Sequence, residues 1–118
     1  MEPKFKVELL DDALEFIESL DEKAMAKIYY NIKLSQYKTD NELFKKLNDN
    51  IWEFRTLYNK TYYRFFAFWD KTNKLETLVI STHGIEKKTG KVPKNEILKA
   101  ENIRNVYFEQ LTREENGK

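Results

Sequence analysis

The chain has 118 residues, of which 41% are hydrophobic and 35% charged, so a single folded domain with a modest core is expected rather than a disordered chain. It contains no cysteine and one histidine, which excludes disulfides and thiolate metal sites and disfavours a zinc site. The formal net charge is +1, but residues 1–53 carry a net charge of −4 and residues 54–118 a net charge of +5. The basic half can concentrate anions at one surface of an almost neutral protein.

The N-terminal half predicts one strand and two helices. Polar and apolar residues alternate over residues 4–10, which predicts a strand, and apolar residues then recur at helical spacing behind a cap at Asp11 or Asp12. Asp21 is predicted to cap a second helix, which forms a helical hairpin with the first. Residues 40–49 are predicted to form a short helical turn or loop.

The C-terminal half predicts three strands and a last helix. Residues 51–59 and 61–69 are joined at Asn59-Lys60, a tight-turn signal, and residues 75–82 form the third strand. Pro93 suits the start of the last helix. The predicted order is β-α-α-β-β-β-α, an α+β fold with an antiparallel sheet packed against the helical hairpin, and with the helices on one side of the sheet.

The division of the chain follows from the same pattern. Residues 1–112 are predicted to form a single domain, and residues 113–118 a frayed tail.

The predicted hairpin register places Arg55 directly opposite Arg64. Like charges in that position destabilise a sheet, so the pair points to an anion bound there, because guanidinium groups bind phosphate bidentately. Tyr62 shares this face, whereas the opposite face is predicted to be the core. The alternative is that Glu53 neutralises the pair and the arginines only solvate an exposed surface. Because Arg64→Ala removes a like-charge pair, it should leave folding nearly unchanged.

A lysine-rich stretch, HGIEKKTGKVPK, follows the third strand at residues 83–94 and is predicted to overhang the arginine face. His83 is either a proton carrier near neutral pH or a strand-end histidine bonded to backbone. Basic side chains for phosphates and exposed rings for bases together favour an RNA site. The predicted RNA-binding residues are Lys60, Tyr62, Lys91 and Lys94.

Three short motifs stand in order between residues 48 and 103. They are Trp52-Glu53-Phe54-Arg55, then Tyr63-Arg64, then His83-Gly84 followed by Lys87, Lys88, Thr89 and Pro93. Together they resemble the HigB-like, phage-derived branch of the RelE/ParE toxin superfamily. The resemblance implies a RelE-like fold and the toxin of a type II toxin–antitoxin pair, a ribosome-dependent mRNA endonuclease that arrests translation.

The resemblance also implies a metal-independent endoribonuclease without a cofactor, in which the 2′-hydroxyl of the RNA attacks the adjacent phosphate. The residues that it implies as catalytic are Arg55, Arg64, His83, Lys87 and Lys88. If the face with the two arginines is the functional one, Arg64→Ala should abolish toxicity. Two alternatives stay open. One is a ParE-type toxin that binds DNA gyrase without catalysis, and the other is an inactive binding module derived from a prophage.

The implied partners are a cognate antitoxin, expected to be a helix-turn-helix protein from the neighbouring gene, and the ribosome with its mRNA. An acidic segment of the antitoxin is expected to dock on the basic face; the alternative is a steric block from the acidic surface of the first helix. The charged N-terminus and the lack of a long apolar run predict a cytoplasmic protein that does not enter a membrane.

Overall fold

The predicted elements are present in the predicted order, with one additional short strand between the second helix and the hairpin. A computed structural model describes residues 2–73, 77–87 and 91–117. The elements are β1 (Lys6–Leu9), α1 (Asp11–Glu18), α2 (Glu22–Tyr37), β2 (Phe44–Lys46), β3 (Trp52–Tyr58), β4 (Thr61–Asp70), β5 (Leu78–Lys87) and α3 (Lys94–Asn116). The α+β class is confirmed.

The five strands form one sheet in the order β1-β5-β4-β3-β2. Neighbouring strands are antiparallel except at one edge, where β1 pairs in parallel with β5, so the sheet is mixed and not purely antiparallel. Asn59 and Lys60 both have positive φ, 52° and 62°, and form a two-residue turn between β3 and β4. This turn fixes the predicted register, with Arg55 opposite Arg64.

Helices cover both faces of the sheet, so the prediction that they lie on one side is wrong. On one face, Ile17 of α1 and Ile28 of α2 pack in a cluster that includes Phe65 of β4. On the other face, Ala100 of α3 packs in a cluster with Phe66. Strand β4 is therefore buried on both of its faces. This explains its near-continuous apolar run, because a strand that is buried on both faces needs apolar side chains at successive positions.

Two local predictions about the N-terminal half also need correction. Helix α1 begins at Asp11 with Leu10 as its N-cap, so Asp11 and Asp12 lie in the first turn instead of capping it. The segment predicted as a helical turn or loop contains β2, which pairs with β3. The predicted cap of α2 is confirmed, since the Asp21 carboxylate accepts a hydrogen bond of 2.8 Å from the Ala24 amide.

The last strand is longer than predicted, and it includes the first part of the lysine-rich stretch. Strand β5 continues to Lys87, so His83 lies inside the strand and not at its end. A bulge occurs beside it: Phe66 pairs with His83 and Ala67 pairs with Ser81, which leaves Thr82 as the extra residue. The extra residue shifts the alternation of side chains along β5, so that Ile80 and His83 lie on the same face of the sheet.

Helix α3 begins directly after Pro93, as predicted, and continues to Asn116. It therefore extends through most of the segment that was expected to fray. The division into a domain over residues 1–112 and a short tail stays a prediction.

Candidate nucleic-acid interface

The face of the sheet that α3 packs against is covered at one end and open at the other. Three rows of paired residues cross β3, β4 and β5 on this side of the sheet. From the covered end to the open end they are Glu53–Phe66–His83, Arg55–Arg64–Ile85 and Leu57–Tyr62–Lys87. Phe66 is fully buried in the cluster that contains Ala100 of α3, whereas Leu57 is 52% exposed. We refer to Arg55, Tyr62, Arg64 and Lys87 as the cationic face.

Arg64 lies at the boundary between the two ends and is only 5% exposed. Its Nη1 atom donates to both carboxylate oxygens of Glu53, at 3.0 and 3.1 Å, and Glu53 is completely buried. The proposed neutralisation by Glu53 is thus present for Arg64, but the arginine is not a solvated surface residue as that interpretation required. An ion pair this deeply buried holds its geometry, because neither partner can be left alone in the core.

Arg55 has a different carboxylate partner. Its Nη2 atom donates to Glu42 Oε2 at 2.7 Å, and the side chain of Glu42, in the loop before β2, is 84% exposed. The side chain of Arg55 itself is 18% exposed. The two opposed arginines therefore avoid mutual repulsion by pairing with separate carboxylates, one buried and one at the surface.

The ring of Tyr62 contacts the guanidinium groups of both arginines. Its ring centre lies 5.6 Å from the guanidinium carbon of Arg55 and 5.3 Å from that of Arg64, both within the range of cation–π contacts. Tyr62 pairs with Leu57 on β3 and with Lys87 on β5, so a partly exposed ring stands between an apolar and a cationic side chain. Such a surface offers stacking for a base and positive charge for its phosphates.

His83 is held under α3 and is only 3% exposed. Its ring stacks on Phe66 with 4.9 Å between the ring centres, Nδ1 lies 2.9 Å from the Thr82 hydroxyl, and Nε2 lies 3.4 Å from Glu96 Oε1 of α3. Burial, together with the positive charge of Lys99, lowers the pKa of His83, although Glu96 opposes the shift. The imidazole is therefore neutral near pH 7 and is shielded from solvent by the helix.

The remaining predicted residues are three exposed lysines and one lysine outside the described residues. Lys60 is exposed at the tip of the β3–β4 turn, Lys91 is exposed in the segment before α3, and Lys94 is the exposed first residue of that helix. Lys88 lies outside the described residues. For all four, a place in the site stays a prediction.

Two residues of the site were missed by sequence reasoning. Glu42 was missed because its contact with Arg55 depends on the β2–β3 pairing, which the predicted turn or loop did not include. Leu57 was placed on the correct face but was not considered as part of a site. Its exposure beside Tyr62 is the observation that adds it.

The described residues contain no group of three or more His, Asp or Glu side chains that could hold a metal ion. Within the same part of the chain, no helix is long and apolar enough to cross a membrane.

The fold and this face define a class of protein: a small α+β domain with arginine, lysine and tyrosine side chains on a half-covered sheet. The family "Phage derived protein Gp49-like (DUF891)" matches residues 15–105 of the chain. The chain belongs to this Gp49-like family, which is in general a family of RelE/HigB-like toxins associated with toxin–antitoxin systems. Searches of curated proteins and of solved structures gave no match. The resemblance that the three motifs indicate is confirmed at this level.

Proposed function

We propose that this protein is a toxin that cuts mRNA on the ribosome and so arrests translation. The observation that carries the proposal is the cationic face, where two guanidinium groups flank the ring of Tyr62 on the half of the sheet that α3 leaves open. A protein that binds only another protein has no need to hold two arginines opposite each other. An RNA backbone, in contrast, brings phosphate oxygens and an unstacked base to the same place.

The proposed reaction needs no metal. The 2′-oxygen attacks the adjacent phosphorus and forms a cyclic phosphate, while the bond from phosphorus to the 5′-oxygen breaks. The 2′-hydroxyl loses its proton to a base, and the leaving 5′-oxygen gains one. Negative charge accumulates on the phosphate oxygens in the transition state, and donors held in place stabilise it without reorganisation.

The described geometry supports a distinct role for each side chain. Arg64 is fixed by Glu53 and would supply a permanent positive charge behind the scissile phosphate, while Arg55 would bind its oxygens from the open side. Tyr62 would stack on a base. We assign proton transfer to Lys87, since it lies opposite Tyr62 on the open row, whereas His83 could act on a substrate only if α3 left the sheet.

Members of this family are typically paired with an antitoxin. We propose that the partner of this protein is a helix-turn-helix antitoxin from the neighbouring gene, and that the ribosome and mRNA are its targets.

Induction in growing cells tests the proposal, with protein synthesis, mRNA integrity and DNA breakage followed over time. Protein synthesis should stop first, with cut mRNA and no early DNA breaks. Tyr62→Ala should abolish the arrest. Tyr30→Ala is the matched control, because Tyr30 also has a cation over its ring, Lys27 at 5.7 Å, but belongs to α2, which packs on the opposite face of the sheet.

Each other outcome contradicts the proposal in a different way. Early DNA breaks with intact mRNA would indicate a gyrase-binding toxin of the ParE type. Normal growth at high expression of folded protein would indicate an inactive binding module.

A further inference from the structure

The two arginines of the cationic face differ in how easily they can exchange their anions. Arg64 is paired with a carboxylate that is completely buried, whereas Arg55 is paired with the carboxylate of Glu42, whose side chain is 84% exposed. Breaking a buried pair leaves an uncompensated charge in the core, but an exposed pair contributes little and is readily broken. An incoming anion can therefore replace Glu42 and cannot replace Glu53.

The loop that carries Glu42 is built so that its side chain can leave without the backbone. The Arg55 amide donates to the carbonyl of Leu43 at 2.8 Å, and the Glu42 amide donates to Asp40 Oδ1 at 2.9 Å. Neither bond involves the side chain of Glu42, so both persist when the Glu42 carboxylate rotates into solvent. Among the described residues, the side-chain contact that has to break is the bond of 2.7 Å from Nη2 of Arg55 to Oε2 of Glu42. The weak contact of 3.5 Å between Arg55 Nε and the backbone carbonyl of Glu42 can remain.

The position that Glu42 occupies suits a phosphodiester. Carboxylates and phosphates both accept hydrogen bonds from a guanidinium fork, with similar geometry. A phosphate at this position would lie beside the ring of Tyr62, which is 5.6 Å from the same guanidinium group, so the attached nucleoside could stack there. Glu42 thus stands where the backbone of a bound RNA would place its charge.

We propose that Glu42 is an internal competitor for the phosphate site at Arg55, an inference that rests on the proposed function. An RNA phosphodiester displaces it, and Glu42 sets the affinity that an anion must exceed to occupy Arg55. Glu42 is in this sense a residue that determines specificity.

The test uses the full chain and inorganic phosphate as the probe, with the Nε–H signal of Arg55 followed by NMR. Glu42→Gln should tighten phosphate binding about two- to fivefold, the range that exposed ion pairs imply. Glu86→Gln removes the same charge from an exposed position on the opposite face of the sheet, across from Tyr63, and should change the affinity much less. In an Arg55→Gln background, Glu42→Gln should not change the phosphate affinity, because Glu42 acts on phosphate binding through Arg55. In that background, phosphate binding is followed through the NMR signals of neighbouring backbone amides.

Equal effects of Glu42→Gln and Glu86→Gln would overturn the inference, as would a Glu42→Gln effect that persists without Arg55. A short oligoribonucleotide, titrated at several salt concentrations, forms the second arm. Glu42→Gln should raise the affinity for the oligoribonucleotide by at least the same factor as the affinity for phosphate. A higher affinity for free phosphate alone would mean that RNA is not the ligand.

The exchange at Arg55 and the proposed function can fail independently of each other. Tighter phosphate binding by Glu42→Gln without any mRNA cleavage would refute the function and leave the exchange at Arg55 intact. Cleavage of mRNA without any change in phosphate binding would do the opposite.

Discussion

Glu53 and Arg64 form an ion pair inside the protein, with both carboxylate oxygens of Glu53 within 3.1 Å of one guanidinium nitrogen and no exposure of Glu53 to solvent. The pair joins β3 to β4 at the boundary between the covered and the open parts of the sheet. Its burial means that the same arginine contributes to folding and to the charge of the cationic face.

Arg64→Ala is expected to destabilise the protein by about 3–5 kcal/mol, because it leaves Glu53 charged and unpaired in the core. This replaces the expectation from sequence that the change would be nearly neutral for folding. Urea denaturation measures the effect. The control is the double variant Arg64→Met with Glu53→Leu, which removes both charges together and should be much less destabilised; a single variant as stable as the parent would contradict the burial of the pair.

His83 should make stability depend on pH in the mildly acidic range. Burial lowers its pKa in the folded protein, so the unfolded chain binds the proton more readily, and stability should fall as the pH drops below about 6.5, the ordinary pKa of histidine. In His83→Gln this part of the pH dependence should disappear. The measurement is the difference in unfolding free energy between pH 7.5 and pH 5.5 for both proteins. Identical pH profiles would show that His83 is not buried in its neutral form.

Gly84 is expected to tolerate no side chain. A Cβ atom at this position would lie 2.5 Å from a ring carbon of Phe16 in α1 and 2.8 Å from a ring carbon of Phe65 in β4. Gly84→Ala should therefore cost about 1–3 kcal/mol, as overpacking of a core does, and lower the melting temperature. The double variant with Phe16→Leu makes room for the methyl group, so its stability relative to Phe16→Leu alone should show a smaller loss. An unchanged melting temperature in the single variant would mean that α1 does not pack closely on β5.

The antitoxin is expected to dock on the basic face that carries Lys87. Lys87→Glu combined with Lys88→Glu should weaken the complex and reduce the salt dependence of its association rate, because the attraction between opposite charges accelerates encounter. Surface plasmon resonance at several salt concentrations measures both. If toxicity is lost while affinity and salt dependence are unchanged, the antitoxin binds elsewhere and blocks the ribosome by its bulk.

Sequence reasoning predicted the parts of the fold that depend on local pattern. The register of Arg55 with Arg64 followed from a two-residue turn, and the start of α2 followed from Asp21. The parallel pairing of β1 with β5 was missed, because it joins residues about 70 positions apart and leaves no local signal. The position of α3 was missed as well, although the aromatic run of β4 contained the clue that both faces are buried.

Sequence reasoning predicted which side chains share one face of the sheet, but it did not predict how deeply each of them is buried. Arg55, Arg64 and Tyr62 share one face, as predicted. On the same face Glu53 and Phe66 are completely buried, and Phe66 packs in the cluster that contains Ala100 of α3. Which half of the face stays open depends on the path of that helix, and the path is set by packing between distant residues such as Phe66 and Ala100. The partner of Arg55 depends in the same way on the β2–β3 pairing.

The most direct test of the account is cleavage of mRNA on purified ribosomes, mapped by primer extension. The protein should cut ribosome-bound mRNA at defined positions, and Arg55→Gln, which keeps the buried Glu53–Arg64 pair, should reduce the rate about a hundredfold, the loss expected when one stabilising donor is removed. Arg104→Gln is the matched control, since that arginine also stacks on a ring, Phe108 at 5.1 Å, but belongs to α3; it should cut as the parent does. Intact mRNA with the parent protein, or equal cleavage by Arg55→Gln, would contradict the assignment of the cationic face.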